Sequence, residues 1–127
     1  ACSVGQDSWP LCQGELVPDL SQSPILVQMI HRIAVLIVGL IMFVGYRKAK
    51  NELPSDSTLT ATIAATFHLW ATNLVVGGMY LLTATDGFIE WISLLHLVLG
   101  VLTFITIATS AMLIDLALCN EFGGEDE

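Results

Sequence analysis

The sequence predicts an all-α membrane protein with three transmembrane helices, and three observations carry that prediction. Of its 127 residues, 54% are apolar and 13% are charged, where a soluble domain carries about 25% charged residues. Mean hydropathy is +0.74. The apolar residues also gather in three blocks, each long enough to cross a hydrocarbon core of roughly 30 Å, which takes about 20 residues of helix. Basic residues number four, Arg32, Arg47, Lys48 and Lys50, against a formal net charge of −8. That balance excludes nucleic acid as a partner, because neutralising phosphates needs a basic face. It leaves the lipid bilayer as the solvent of the fold.

The elements follow in order. Residues 1–23 read as an outer-face loop. The first helix spans 24–46, opens on Pro24 and carries one charge, Arg32. It is no cleavable signal peptide, since it begins inside the chain and its basic residues follow it. The second helix spans 59–84 and has no charge, only Thr, Asn and His68 among its polar members. The third spans 88–118, with Glu90 near its start and Asp115 near its end. Together 24–118 form the transmembrane unit, and 119–127 form an acidic tail read as loose and solvated.

Arg47, Lys48 and Lys50 fall between the first two helices, and cytoplasmic loops collect Lys and Arg. The Cys2/Cys12 loop and the Thr85-Asp86-Gly87 turn then lie outside, and the C-terminus lies in the cytoplasm. Cys2 and Cys12 share the oxidising side, where a disulfide persists and would stiffen a stretch without its own core. Two free thiols forming a metal or redox pair is the rival reading. Cys119 stands alone on the reducing side.

Ionisable groups inside a membrane are costly, and they are functional candidates by default. All three histidines lie inside helices. The bland reading of any one is an interhelical hydrogen bond worth about 1 kcal/mol. Depth separates them. From the outer ends of their helices His31 lies ~10 Å down, His96 ~12 Å and His68 ~24 Å, at 1.5 Å per residue. His31 and His96 are therefore level, on helices that run the same way. Six-coordinate haem iron needs one imidazole above the ring and one below, and these two fit; His68 is too deep. Gln28, Val35 and Gly39 share the face of His31, while Ser93, Gly100 and Thr103 share that of His96. Small residues there leave room for a macrocycle, and they equally serve plain helix packing. Arg32 must snorkel or pair. Its partners are outward haem propionates on one reading, Glu90 or Asp86 on the other. For His68 the structural reading leads, because Ala61, Ala64, Ala65, Ala71 and Thr72 around it mark a close-packed interface. No zinc-type Cys/His cluster, His-Glu-x-x-His motif or paired carboxylates at one depth appear.

Cys2 to Gly14, ending Trp9-Pro10-Leu11-Cys12-Gln13-Gly14 and followed by Pro18, resembles the outer loop of the haem A synthases. In that family the loop leads into a helix with Glu or Gln three residues before a His-Arg pair, here Gln28-Met29-Ile30-His31-Arg32. Asn73 to Tyr80, with Gly77 and Gly78, and Trp91 to Leu97, with Leu95-His96-Leu97, resemble the next two helices. The likeness spans the loop and all three helices and is weakest from Lys50 to Thr66.

The resemblance implies that His31 and His96 ligate the iron of haem b, and that Cys2 and Cys12 are bridged. It also implies that Gln28 marks the cofactor-holding half, since the half that oxidises the haem methyl group carries Glu there. Family halves have four helices, and this sequence starts within the loop after the first. The turn at Thr85-Asp86-Gly87 also lacks the prolines of the family. The fold so implied is an incomplete four-helix haem-binding bundle, whose open flank lies against other membrane subunits. The function expected is a membrane haem b-binding subunit in electron transfer or assembly within a larger complex. The alternatives are part of an active haem A synthase, oxidising the methyl group of haem O, and a haem-free structural subunit.

Overall fold

The structure, a computed structural model, describes residues 11–12, 14–83 and 90–122. It contains three helices, α1 (Ser23–Glu52), α2 (Thr58–Thr83) and α3 (Glu90–Phe122). All three are long and apolar enough to cross a membrane.

The segment before α1 turns on itself. The Cys12 N–H donates to the Glu15 carbonyl at 2.8 Å and the Glu15 N–H to the Cys12 carbonyl at 3.1 Å. Gly14 takes φ +83° in that turn, a left-handed conformation that a side chain disfavours. Asp19 then accepts from the Ser21 N–H at 3.0 Å and from its hydroxyl at 2.9 Å. These two bonds hold the Asp19 carboxyl below its ordinary range, the backbone donor contributing most. Pro24 stands in the first turn of α1, where a missing N–H costs nothing.

The C-terminal ends of two helices, α1 and α3, lie beyond the sequence reading. α1 continues beyond Tyr46 to Glu52, so Arg47, Lys48 and Lys50 ride its last turns rather than a loop. Nothing in Arg-Lys-Ala-Lys-Asn-Glu breaks a helix, and Lys48 meets Glu52 one turn on at 3.9 Å. The stop is Pro54, which forces its predecessor Leu53 out of the helical region, to φ −102° and ψ 153°. α3 likewise runs through Cys119 to Phe122, into the segment read as a loose tail. The expected limits at Ala84 and Phe88 lie outside the described residues.

Ser57 starts α2. Its hydroxyl oxygen accepts from the Thr60 N–H at 3.1 Å and donates to the Thr60 hydroxyl at 2.7 Å. The Thr60 hydroxyl passes its own proton to the Pro54 carbonyl at 2.9 Å. The cap thus ties α2 to the turn that ends α1.

Packing runs from α1 to α2 and from α2 to α3, each pair antiparallel, and among the described residues no Cα atoms of α1 and α3 come within 8 Å of each other. Gly39 seats α2 on α1. A Cβ there would collide with the Trp70 ring, so glycine is what lets the indole lie on the α1 backbone. Tyr46 and Phe67 stack nearby, their centroids 5.1 Å apart. Few side chains are buried, and apolar residues such as Leu36, Leu40, Phe104 and Leu116 face outward. In water such a surface would aggregate; in lipid it is the expected exterior. Serine and threonine hydroxyls inside the helices bond back to their own helix, as from Thr66 to Thr62, Thr103 to Leu99 and Ser110 to Thr106. That removes a donor the bilayer cannot satisfy.

Candidate functional site

With α1 and α3 apart, α2 forms the floor of a cleft between them. Toward the Lys50 end the cleft opens to about 280 Å³, lined by Met42 and Gly45 of α1, Ile63 and Thr66 of α2, and Ile107, Ser110, Ala111 and Ile114 of α3. Helical spacing extends each wall toward the Cys12 end. On α1 the stripe Gly45, Met42, Val38, Val35 ends at His31. On α3 the stripe Ile114, Ala111, Ile107, Thr103, Gly100 ends at His96. On the floor, Ile63 and Thr66 lead to Trp70, Asn73 and Gly77. Helical spacing thus puts the two sequence-predicted histidines on the cleft-side stripes of α1 and α3, beyond the residues that line the cavity.

Two contacts set their levels. Gly39 lies on Trp70, and His96 lies on Gly77. Eight residues from Gly39 toward the Cys12 end is His31, and eight from Trp70 the same way along antiparallel α2 is Gly78. His31 and His96 therefore stand level beside the Gly77-Gly78 pair, within about two residues of rise, ~3 Å. Gly77 and Gly78 themselves carry no side chain, and the His96 ring occupies the space beside Gly77.

Their surroundings differ. His31 is exposed on its wall. His96 is half-buried, with Nδ1 3.2 Å from the Asn73 main-chain oxygen. A carbonyl only accepts, so Nδ1 holds the proton and Nε2 is the nitrogen with a free lone pair. Gln28, one turn before His31, is half-buried. Arg32 donates from Nη1 to the Leu11 carbonyl at 2.9 Å. That carbonyl was not among the partners considered from sequence, and one of those, Asp86, lies outside the described residues. Arg32 clasps the loop that carries Cys12, and Cys12 packs at 1% exposure on Ile25 and Met29. Cys12 is disulfide-bonded, whereas Cys119 is free and exposed. Cys2, the expected partner of Cys12, lies outside the described residues.

Some small residues serve other ends than those anticipated. The room at Gly39 is taken by Trp70, and the space next to Gly100 by the Asn73 amide, 3.5 Å from where a Cβ would be. Among the described residues His68 is exposed, on a stripe with Ala61, Ala65 and Thr72 on the side of α2 away from the cleft. Its ring meets Tyr46 and Phe67 edge-on, each at 5.7 Å.

Trp70 was not singled out by sequence reasoning, and Asn73 and Gly77 entered only within a resemblance, with no role given to either. Their signal was present: a Trp, an Asn and a Gly at positions 70, 73 and 77 share one face of an uncharged helix. Two of them leave polar atoms buried and unpartnered among the described residues, Trp70 Nε1 and Asn73 Oδ1. Such an atom costs about 1–3 kcal/mol unless water or a bound group completes it, so the floor is a place where one belongs. Among the described residues, no three of His, Cys, Asp and Glu converge as a metal site. Comparison with protein-family models, curated proteins and solved structures returned no match.

Proposed function

We propose that the chain is a membrane haem b-binding subunit, in the manner of the cofactor half of a haem A synthase, serving electron transfer or assembly within a larger membrane complex. The observation that carries this reading is the pair His31 and His96, level with each other on the cleft-side stripes of α1 and α3 beside Gly77 and Gly78 of α2. Glycine at 77 is what admits the His96 imidazole against the α2 backbone, since a side chain there would strike its ring.

The donor set also fits. His96 offers Nε2 while its other nitrogen is engaged by a carbonyl, the arrangement usual for metal-ligating histidines. His31 would supply the second axial nitrogen. Arg32 supplies positive charge at the Cys12 end, of the sign that propionates require. Gln28 offers a neutral amide where a methyl-oxidising site would need a carboxylate, which favours a redox or structural role over catalysis. Haem held by two imidazoles supplies one-electron chemistry at its iron. The protein's part is to hold the imidazoles, exclude water and place the charge of Arg32.

The orientation proposed follows the basic residues, with the Cys12 end outside and the Lys50 end in the cytoplasm. The Cys12 disulfide is assigned to Cys2. Partner subunits are assigned to the outward faces, because His68 stands exposed on α2 and an ionisable group facing lipid is costly.

A pyridine haemochrome spectrum of the purified full chain tests the reading. It should give the b-type spectrum, and His96→Ala should lose the low-spin signal. Absence of haem after reconstitution sinks the proposal in favour of a structural subunit. Conversion of added haem O to an oxidised product would instead make the chain a working part of a synthase.

A further inference from the structure

We propose that Gly77 and the main-chain carbonyl of Asn73 are positioning elements that set the tautomer and tilt of His96 before any ligand arrives. The inference deepens the haem reading and rests on it for its purpose, but its geometry belongs to the polypeptide alone.

An imidazole inside a membrane has two freedoms, the placing of its proton and the rotation of its ring. A neutral ring has one N–H, and either nitrogen can carry it. Free choice would leave the ring half the time with its donor where a metal needs a lone pair. The Asn73 carbonyl removes that choice, because at 3.2 Å it accepts only from Nδ1–H. One turn further along α2, Gly77 removes the second freedom, which is rotation. A Cβ at Gly77 would lie 2.9 Å from His96 Cε1 and 3.2 Å from Nδ1. The first distance is closer than carbon atoms tolerate, so the ring would have to swing and the Nδ1 bond would stretch or break. Glycine at 77 lets the ring lie on the α2 backbone, and the carbonyl then holds it there. Gly45 lines the same cleft toward the Lys50 end, and a Cβ there would meet nothing within 4 Å. Gly45→Ala is therefore the matched control.

The experiment uses the full chain in micelles, without haem and then with it. Nitrogen-15 NMR of the ring, assigned by loss of the signal in His96→Gln, should show the Nδ1–H tautomer in the haem-free chain. Gly77→Ala should redistribute it, and Gly45→Ala should not. A wild-type ring mainly protonated at Nε2 overturns the proposal whether or not the alanine variant folds. In the second arm haem is titrated into all three chains. Gly77→Ala should weaken binding by roughly 10–100-fold, the usual cost of losing an outer partner of a ligand, and should shift the low-spin spectrum. Equal affinity and an unchanged spectrum overturn the positioning role. Failure of the wild-type chain to take up haem, with its tautomer as stated, overturns the haem reading and leaves the positioning of His96 standing.

Discussion

At the scale of single residues, Gly39 and Gly45 lie six positions apart on α1 yet should respond oppositely to the same change. Gly39→Ala drives a methyl group into the Trp70 ring, and overpacking of this kind costs about 1–3 kcal/mol. Gly45→Ala meets open space and should leave stability unchanged or slightly improved. Equilibrium unfolding in mixed micelles reads both, and Trp70→Leu should rescue the first by emptying the contact. Asp19 offers a second test. Its depressed folded pKa means that ionised Asp19 favours the folded turn at pH values above its unfolded pKa, and that this contribution disappears as pH falls through the folded pKa. Ser21→Ala removes the hydroxyl but keeps the N–H, so a carboxyl NMR titration should show a partial return toward the ordinary value. No movement at all would assign the whole shift to the backbone bond. The similar level of His31 on α1 and His96 on α3 was legible in the sequence, because depth along a helix is a matter of counting. The bond from Arg32 to the Leu11 carbonyl was not, since a main-chain carbonyl twenty-one residues earlier has no mark in composition or spacing.

At the scale of elements, what counting could and could not recover separates along physical lines. Three spans were readable because hydrocarbon demands long uncharged runs. The ends of α1 and α3 were not, because a helix does not stop where hydrophobicity stops; it stops where a breaker or a cap intervenes. Arg47 to Glu52 can stay helical in water, so α1 reaches Pro54. Ser57 marks the next start, and its loss should be felt locally. Ser57→Ala removes an acceptor for the Thr60 N–H and a link to the Pro54 carbonyl, a cap worth about 1 kcal/mol. Hydrogen exchange should accelerate in the first turn of α2 while the middle of the helix, packed on both neighbours, stays protected. Acceleration spread evenly along α2 would instead mean that the turn holds the entire α1–α2 pair together. The pairing of faces lay between these extremes. Small residues near the histidines were visible, but what fills each gap is a tertiary fact: Trp70 over Gly39, the Asn73 amide beside Gly100.

At the scale of the whole molecule, the direction of insertion we propose rests on where three of the four basic residues fall in three dimensions. Because α1 extends to Glu52, Arg47, Lys48 and Lys50 project from one helix end as a cluster rather than lying along a loop, and the driving force for cytoplasmic placement is concentrated there. α3 runs parallel to α1, since each is antiparallel to α2, so Cys119 emerges at that same end. Cys119 is a free, exposed thiol, while Cys12 is disulfide-bonded and buried. The chain thus carries a built-in reporter of topology. A membrane-impermeant maleimide should leave Cys119 unmodified in intact cells and modify it in inverted vesicles, with Cys119→Ser as the control for labelling elsewhere. Modification in intact cells would place the Lys50 end outside. It would also put Cys12 in a reducing compartment, where a disulfide does not persist, and with the cleft turned about, His31 and His96 would stand near the cytoplasmic face instead of the outer one.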